Sequence, residues 1–126
     1  MMRLLVVDDE ADICDFVKKF FKERDFEVEI AYDGKEAVSR IEARKPHIVL
    51  LDIRMPVMDG FETLKAIQRI DNNIRVIMVT AVEDVELAEE TKSRGAAEYI
   101  TKPLLLEQLE RTVLTIAEQI KMAAEW

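Results

Sequence analysis

Residues 47–60 read HIVLLDIRMPVMDG. Four consecutive apolar residues, Ile48 to Leu51, run straight into a carboxylate, Asp52, with Pro56 and an Asp59–Gly60 pair behind it. An apolar run of that length, bounded by turn residues, predicts a strand covered on both faces. Such strands sit in parallel sheets flanked by helices, so this stretch points to the fold class. A charge at the edge of a buried strand costs free energy unless its neighbours compensate it. Asp52 therefore needs partners, and the rest of the chain supplies them.

Candidate strands over 3–7, 27–31, 47–51, 74–79 and 97–101 alternate with candidate helices over about 11–24, 34–44, 60–70, 84–94 and 105–124. Alternation of that kind predicts βαβ units with right-handed crossovers. In the first helix Ile13, Phe16, Val17, Phe20 and Phe21 recur at helical spacing and predict a core stripe. The first, third and fourth strands are almost continuous Val, Ile and Leu, the pattern of interior strands. The second alternates Phe26, Val28, Ile30 and Tyr32 with Glu27 and Glu29, and the fifth carries Glu98 and Thr101. Those two read as edges. The expectation is an α/β, (βα)5 doubly wound fold, with a five-stranded parallel sheet of order 2-1-3-4-5 and helices on both faces. In such a sheet ligands bind at the carboxyl ends of the strands, where the chain reverses direction.

The whole chain of 126 residues reads as one domain, 1–126, with a long C-terminal helix. Its 18 basic and 26 acidic residues give a net charge of -8, which argues against direct nucleic-acid binding. One cysteine, Cys14, and one histidine, His47, exclude a disulfide framework and a multi-histidine metal cluster, and both read as structural. Acid appears by residue 8, too early for a signal peptide, and no apolar stretch approaches the ~18 residues of a membrane span. The expectation is a cytoplasmic protein, either stand-alone or excised from a longer one, since no output domain follows residue 126.

The residues that close the strands are the informative ones. They are Asp8, Asp9 and Glu10 after the first strand, Asp52 after the third, Thr80 after the fourth and Lys102 after the fifth. All fall at one end of the predicted sheet. Asp8, Asp9 and Asp52 against Lys102 leave an excess of negative charge that repels itself in a partly desolvated crevice. A hard divalent cation cancels that excess, and oxygen ligands without His or Cys favour Mg2+. Asp52 can then act as a carboxylate nucleophile toward phosphorus. Mg2+, the Lys102 ammonium and the Thr80 hydroxyl would each take a phosphoryl oxygen. The stretch VVDDEAD offers acid and no glycine, and neither GxxxxGK nor GxGxxG occurs, so a nucleotide-phosphate cradle is excluded. Two residues beyond Asp52 stands Arg54, which cannot be the second acid/base of a rapidly recycling phosphatase. Plainer roles stand beside these: Thr80 as an N-cap of the fourth helix, Asp12 as the cap or a first-turn charge of the first, Tyr99 as edge packing, and Asp59–Gly60 as a turn and helix start.

VVDDE at 6–10, LLDIRMPVMDG at 50–60, VTA at 79–81 and YITKP at 99–103, in this order and spacing, resemble the receiver domain of bacterial two-component response regulators. The similarity covers essentially the whole chain and extends to the single-domain receivers of chemotaxis and sporulation. It implies a flavodoxin-like fold with Asp52 as phosphoacceptor. It implies Mg2+ held by Asp9, Asp52 and the backbone carbonyl of Arg54, with Asp8 reaching it through water. It implies Thr80 and Tyr99 as a switch pair, Lys102 on the phosphoryl group, and a Lys102–Pro103 bond that is often cis. Leu104 departs from the Phe of many members. Arg54 and Val82 fall where the family varies and tunes phosphoryl lifetime.

The resemblance also implies partners: a sensor histidine kinase or histidine phosphotransfer protein as donor, and a downstream protein at the face of the fourth helix, fifth strand and fifth helix. Such a protein promotes only its own phosphorylation and dephosphorylation and is not otherwise an enzyme. The fourth helix, with Val85 and Leu87 as its main apolar residues, should shift cheaply. In the fifth, Leu106, Leu109, Val113, Ile116, Ile120 and Ala123 form an a/d seam, its first four residues expected on the sheet and the last two available for a homodimer. Two alternatives remain: a Mg2+-dependent small-molecule phosphatase, and a receiver-like scaffold that works without phosphorylation.

Overall fold

The computed structural model describes residues 1–124. The elements run β1 (Met2–Val7), α1 (Ala11–Lys22), β2 (Phe26–Ala31), α2 (Gly34–Ala43), β3 (Ile48–Asp52), α3 (Gly60–Ile70), β4 (Arg75–Thr80), a 3-10 turn (Val82–Asp84), α4 (Val85–Ser93), β5 (Glu98–Thr101) and α5 (Leu106–Ala124). All strand pairs are parallel, in the order β2-β1-β3-β4-β5. The expected order is thus the observed one. β2 is an edge, as its alternating pattern predicts, and its Glu29 and Glu27 pair with Arg40 of α2 and with Arg44 just past the end of that helix.

Side chains alternate across the sheet and divide the core in two. Leu4, Val6, Ile48, Leu50, Ile77, Val79 and Ile100 face α1 and α5, meeting Cys14, Val17, Phe21, Leu109, Val113 and Ile116. Leu5, Val7, Val49, Leu51, Val76 and Met78 face α2, α3 and α4, meeting Ala37, Ile41, Leu64, Ile67 and Ala88. A strand buried on both faces has no polar side, which is why β1, β3 and β4 read as unbroken apolar runs. α2 and α3 begin at Asp33 and Asp59, whose carboxylates accept the N–H groups of Glu36 and Glu62. The Asp59–Gly60 pair is therefore the turn and helix start that the sequence suggests.

Two helical stripes differ from expectation. Phe16 lies outside the core, 46% exposed, and stacks on Phe20, while Cys14 completes the buried stripe with Val17 and Phe21. A buried stripe only one to two residues wide per turn leaves the ring at 16 rotated off the sheet. In α5 Leu106 is 42% exposed, whereas Leu109, Val113, Ile116 and Ala117 are buried and Ile120 packs against the same cluster. The seam therefore reaches one turn farther along the body than expected and starts one turn later.

Candidate functional site

The polar groups flagged at the strand ends do converge at the carboxyl edge of β1, β3, β4 and β5. Asp52 is the last residue of β3 and is 5% exposed. The turn that follows fixes it: the Ile53 N–H donates to the Val79 carbonyl, and the Gly60 N–H donates to the Ile53 carbonyl at 2.8 Å. A side chain at position 60 would meet backbone, since an added Cβ falls 2.6 Å from Ile53 Cα and 2.9 Å from the Asp52 carbonyl. Glycine is required there by close approach. The Arg54 N–H donates to Asp52 Oδ1 at 3.1 Å, and the Lys102 ammonium donates to Asp52 Oδ2 at 3.1 Å. Lys102 is carried in by its own backbone, whose N–H donates to the Thr80 carbonyl at 2.7 Å, and the Lys102–Pro103 bond behind it is cis.

Asp8, Asp9 and Glu10 leave β1 beside Asp52. Their carboxylate oxygens lie within 4.8 Å of one another. Lys102 also approaches Asp8 and Glu10, at 3.7 Å each. Burial pushes the Asp8 carboxyl from 3.8 up to about 6, with the charge of Asp52 adding to the effect and the Glu10 N–H and Lys102 opposing it. Burial likewise raises Asp52, against the Lys102 hydrogen bond. Burial works to lower the Lys102 ammonium, yet its hydrogen bond to Asp52 and the surrounding acids hold it above its ordinary value. One cation thus serves several carboxylates. Closely set oxygen donors with unmatched negative charge and no nitrogen or sulfur donor among them fit a hard divalent cation such as Mg2+.

Glu10 joins the acidic cluster with Asp8 and Asp9, a place the sequence reading did not give it. Only its place one step past Asp9 hinted at it, and it occupies the N-cap position of α1 without making a side-chain cap. Asp12 is a first-turn charge of that helix. Thr80 ends β4, nine-tenths hidden or more, and its hydroxyl donates to the Ala81 carbonyl at 3.3 Å instead of capping the next helix. Tyr99 is half-buried and packs in the cluster that contains Leu87 and Ala88 of α4. Behind the pocket Cys14 is fully buried, and its thiol donates to the Asp8 carbonyl at 3.3 Å.

A carboxylate presented by a rigid strand end, among acids and a shared ammonium, defines a class of small α/β proteins suited to binding a cation and a phosphoryl group side by side. The chain belongs to the response regulator receiver domain family, the phosphoacceptor signalling modules of two-component systems, whose model matches residues 4–114. It is 40% identical over 116 residues to chemotaxis protein CheY of Listeria monocytogenes, covering 88% of this chain and 98% of that protein. It is 33% identical over 111 residues to sporulation initiation phosphotransferase F of Bacillus subtilis, covering 88% and 90%. The receiver domain of NtrX from Brucella abortus superposes with a TM-score of 0.87 at 32% identity, covering 91% of this chain and 98% of that one. Other relatives are longer: the chain spans 25% of the transcriptional regulatory protein ZraR of Salmonella typhimurium. Receiver domains are signalling proteins rather than classical enzymes, and they generally bind Mg2+ at an acidic cluster of this kind. No helix among the described residues is long and apolar enough to cross a membrane.

Proposed function

We propose that Asp52 is the phosphoacceptor of a Mg2+-dependent switch, charged by a sensor histidine kinase or a histidine phosphotransfer protein. The observation that carries this reading is the Lys102 ammonium at 3.1 Å from Asp52 Oδ2, within the acid cluster. A carboxylate oxygen of Asp52 attacks phosphorus, the P–N bond of the donor phosphohistidine breaks, and the imidazole leaves with the bond's electron pair. Lys102 moves from carboxylate oxygen to phosphoryl oxygen, and the Thr80 hydroxyl, one short rotation from the Ala81 carbonyl, supplies a neutral donor. Asp8, Asp9 and Asp52, with the Arg54 carbonyl, would hold Mg2+, and Glu10 stands close enough to join them. When bound, the ion neutralises the charge that phosphoryl transfer brings together.

The bland role for Thr80 and Tyr99 differs from the switch role, and the switch role is the one proposed. Tyr99 packs beside Leu87, so a turn of Thr80 toward a phosphoryl group would be felt at α4. α4 buries only Ala88 and Thr91, so it is the helix most cheaply displaced. The face of α4, β5 and α5 then changes its affinity for a downstream protein. In this reading residues 1–126 act as one cytoplasmic receiver that promotes only its own phosphorylation and dephosphorylation.

The test is intact mass after incubation with acetyl phosphate and Mg2+. A single phosphoryl adduct is expected, lost in Asp52→Ala and lost on adding EDTA. An adduct that survives Asp52→Ala overturns the assignment. Sustained turnover of a small phosphoester would instead support the phosphatase alternative, and partner binding unchanged by phosphodonor the scaffold alternative.

A further inference from the structure

α4 is fastened to the body unevenly, and its carboxyl end is pinned from three sides. From α3, Gln68 Nε2 donates to the Arg94 carbonyl at 2.8 Å, giving a helix-end carbonyl a donor from a neighbouring element. Gly95 follows at φ 107°, in the left-handed region, and an added Cβ there would fall 2.5 Å from Gln68 Nε2. Glycine thus closes the helix and leaves room for the amide. The Gly95 and Ala96 N–H groups turn back onto the Lys92 and Thr91 carbonyls at 3.0 Å each. From β4, the Val76 carbonyl accepts the Ala97 N–H at 2.8 Å, and from β5, Glu98 pairs with Lys92 at 3.2 Å. The Arg94 guanidinium lies 5.0 Å from the centre of the Phe61 ring of α3. The amino end is held more loosely. Asp84, in the N-cap position, makes no side-chain cap, and Val85, Glu86 and Leu87 are all at least partly exposed. Arg54 forks onto Asp84, with Nε 2.6 Å from Oδ2 and a terminal nitrogen 2.7 Å from Oδ1, but that guanidinium side chain is 72% exposed. An exposed pair of this kind holds little.

Resting on the assignment of Asp52, we propose that α4 is a lever hinged at its carboxyl end, with Gln68 as the positioning residue that pins it. Phosphorylation then swings the amino end and leaves residues 91–96 in place. The amino end follows Thr80 through Ala81 and the 3-10 turn, so a rotation of the Thr80 side chain reaches it first. The buried residues, Ala88 and Thr91, lie in the middle and last turns, so a swing costs little burial at the amino end. Hinges are element-terminal residues, often small, that absorb a change in backbone dihedrals. Gly95, Ala96 and Ala97 stand together at this end. The face of α4, β5 and α5 is thereby divided. Its part around the Lys92–Glu98 pair is the same in both states. The part that depends on phosphorylation is the flank of residues 85–89, and a partner that reads the phosphoryl group must touch that flank.

The experiment measures distances by double electron–electron resonance between nitroxides at Ser39→Cys on α2 and either Glu86→Cys or Ser93→Cys on α4. All three positions are exposed, while Cys14 is buried and stays unlabelled. In Mg2+, beryllofluoride as the phosphoryl mimic should shift the 39–86 distance by about 2 Å or more, and the 39–93 distance by less than about half as much. Gln68→Met keeps the length of the side chain but loses the donor. It should broaden the 39–93 distribution in Mg2+ alone and let beryllofluoride shift it. Gln68→Lys returns a donor to the same carbonyl and should restore the native pattern. Acetyl phosphate should still give the adduct in each Gln68 variant, because Gln68 bonds to α4 and stands outside the pocket. Both distances moving together in the native chain overturns the lever, as does neither moving in a chain that takes the adduct. So does a 39–93 distribution as narrow in Gln68→Met as in the native chain, or Gln68→Lys behaving as Gln68→Met. If the native chain takes no adduct, the Asp52 reading fails, while the width of the 39–93 distribution in Gln68→Met still decides whether Gln68 pins α4.

Discussion

Asp8→Asn should make the metal-free protein more stable. Asp8 is 3% exposed, and its carboxyl titrates at about 6 in the folded chain instead of 3.8. The folded state therefore disfavours the ionised form. Above pH 6 the penalty is complete and amounts to about 3 kcal/mol. It shrinks as pH falls through 6, is roughly halved by pH 5, and is gone below 3.8. The amide of Asn keeps an acceptor for the Glu10 N–H, which bonds Asp8 Oδ1 at 2.9 Å, so the swap removes charge with little loss of geometry. Urea unfolding in EDTA at pH 7.5 should show the Asp8→Asn midpoint higher by about 1–2 M, for slopes ordinary in domains of this size. At pH 5 the gap should be about half as large. Saturating Mg2+ should raise the native midpoint and close part of the difference. An Asp8→Asn chain no more stable than the native one at pH 7.5 in EDTA would refute the reasoning. So would a gap that does not change with pH.

Other consequences can be measured in the same way. Gly60→Ala forces a Cβ against Ile53 Cα and the Asp52 carbonyl, so it should cost about 1–3 kcal/mol and slow phosphorylation by moving the nucleophile. An unchanged urea midpoint with an unchanged phosphorylation rate would show that the turn has room to spare. His47 Nδ1 accepts the Arg3 N–H at 2.9 Å, and burial holds the imidazole below its ordinary 6.5. Its contribution is present above 6.5 and lost as pH falls. The stability difference between the native chain and His47→Gln should therefore narrow on acidification, and a difference flat from pH 8 to 5 would contradict it.

Much of the fold was legible because it depends on local patterning. Ile48 to Leu51 could be read as a doubly covered strand without any knowledge of its neighbours, and the Glu27–Glu29 alternation marked an edge. The convergence of Asp52, Asp8, Thr80 and Lys102 followed from strand ends alone. The misjudged positions are those where rotation about a helix axis decides burial, such as Phe16 and Leu106. Their hydrophobicity is real, but the sheet is narrower than the apolar stripe. The Arg54–Asp84 fork joins residues thirty positions apart, and no periodicity carries that information. Glu10 was hidden for a different reason: a helix-start position reads as plain solvent-facing sequence, while in the fold its carboxylate gathers with those of Asp8 and Asp9 and stands 3.7 Å from the Lys102 ammonium, which arrives from beyond β5.

The thiol of Cys14 beneath the pocket has a practical consequence. It is wholly enclosed, and burial carries its titration up to about 12, so as folded it presents almost no thiolate to a reagent. Alkylation can proceed only through moments when α1 lifts from the β1 end and the bond to the Asp8 carbonyl breaks. The rate of labelling is then the fraction of time spent open multiplied by the rate for a free thiol. Adding Mg2+, and then a phosphodonor, should lengthen the labelling half-life stepwise, and rapid labelling indifferent to both would show that α1 breathes independently of the acids above it. The lone cysteine is thus a natural clock for the pocket, readable in the unaltered protein.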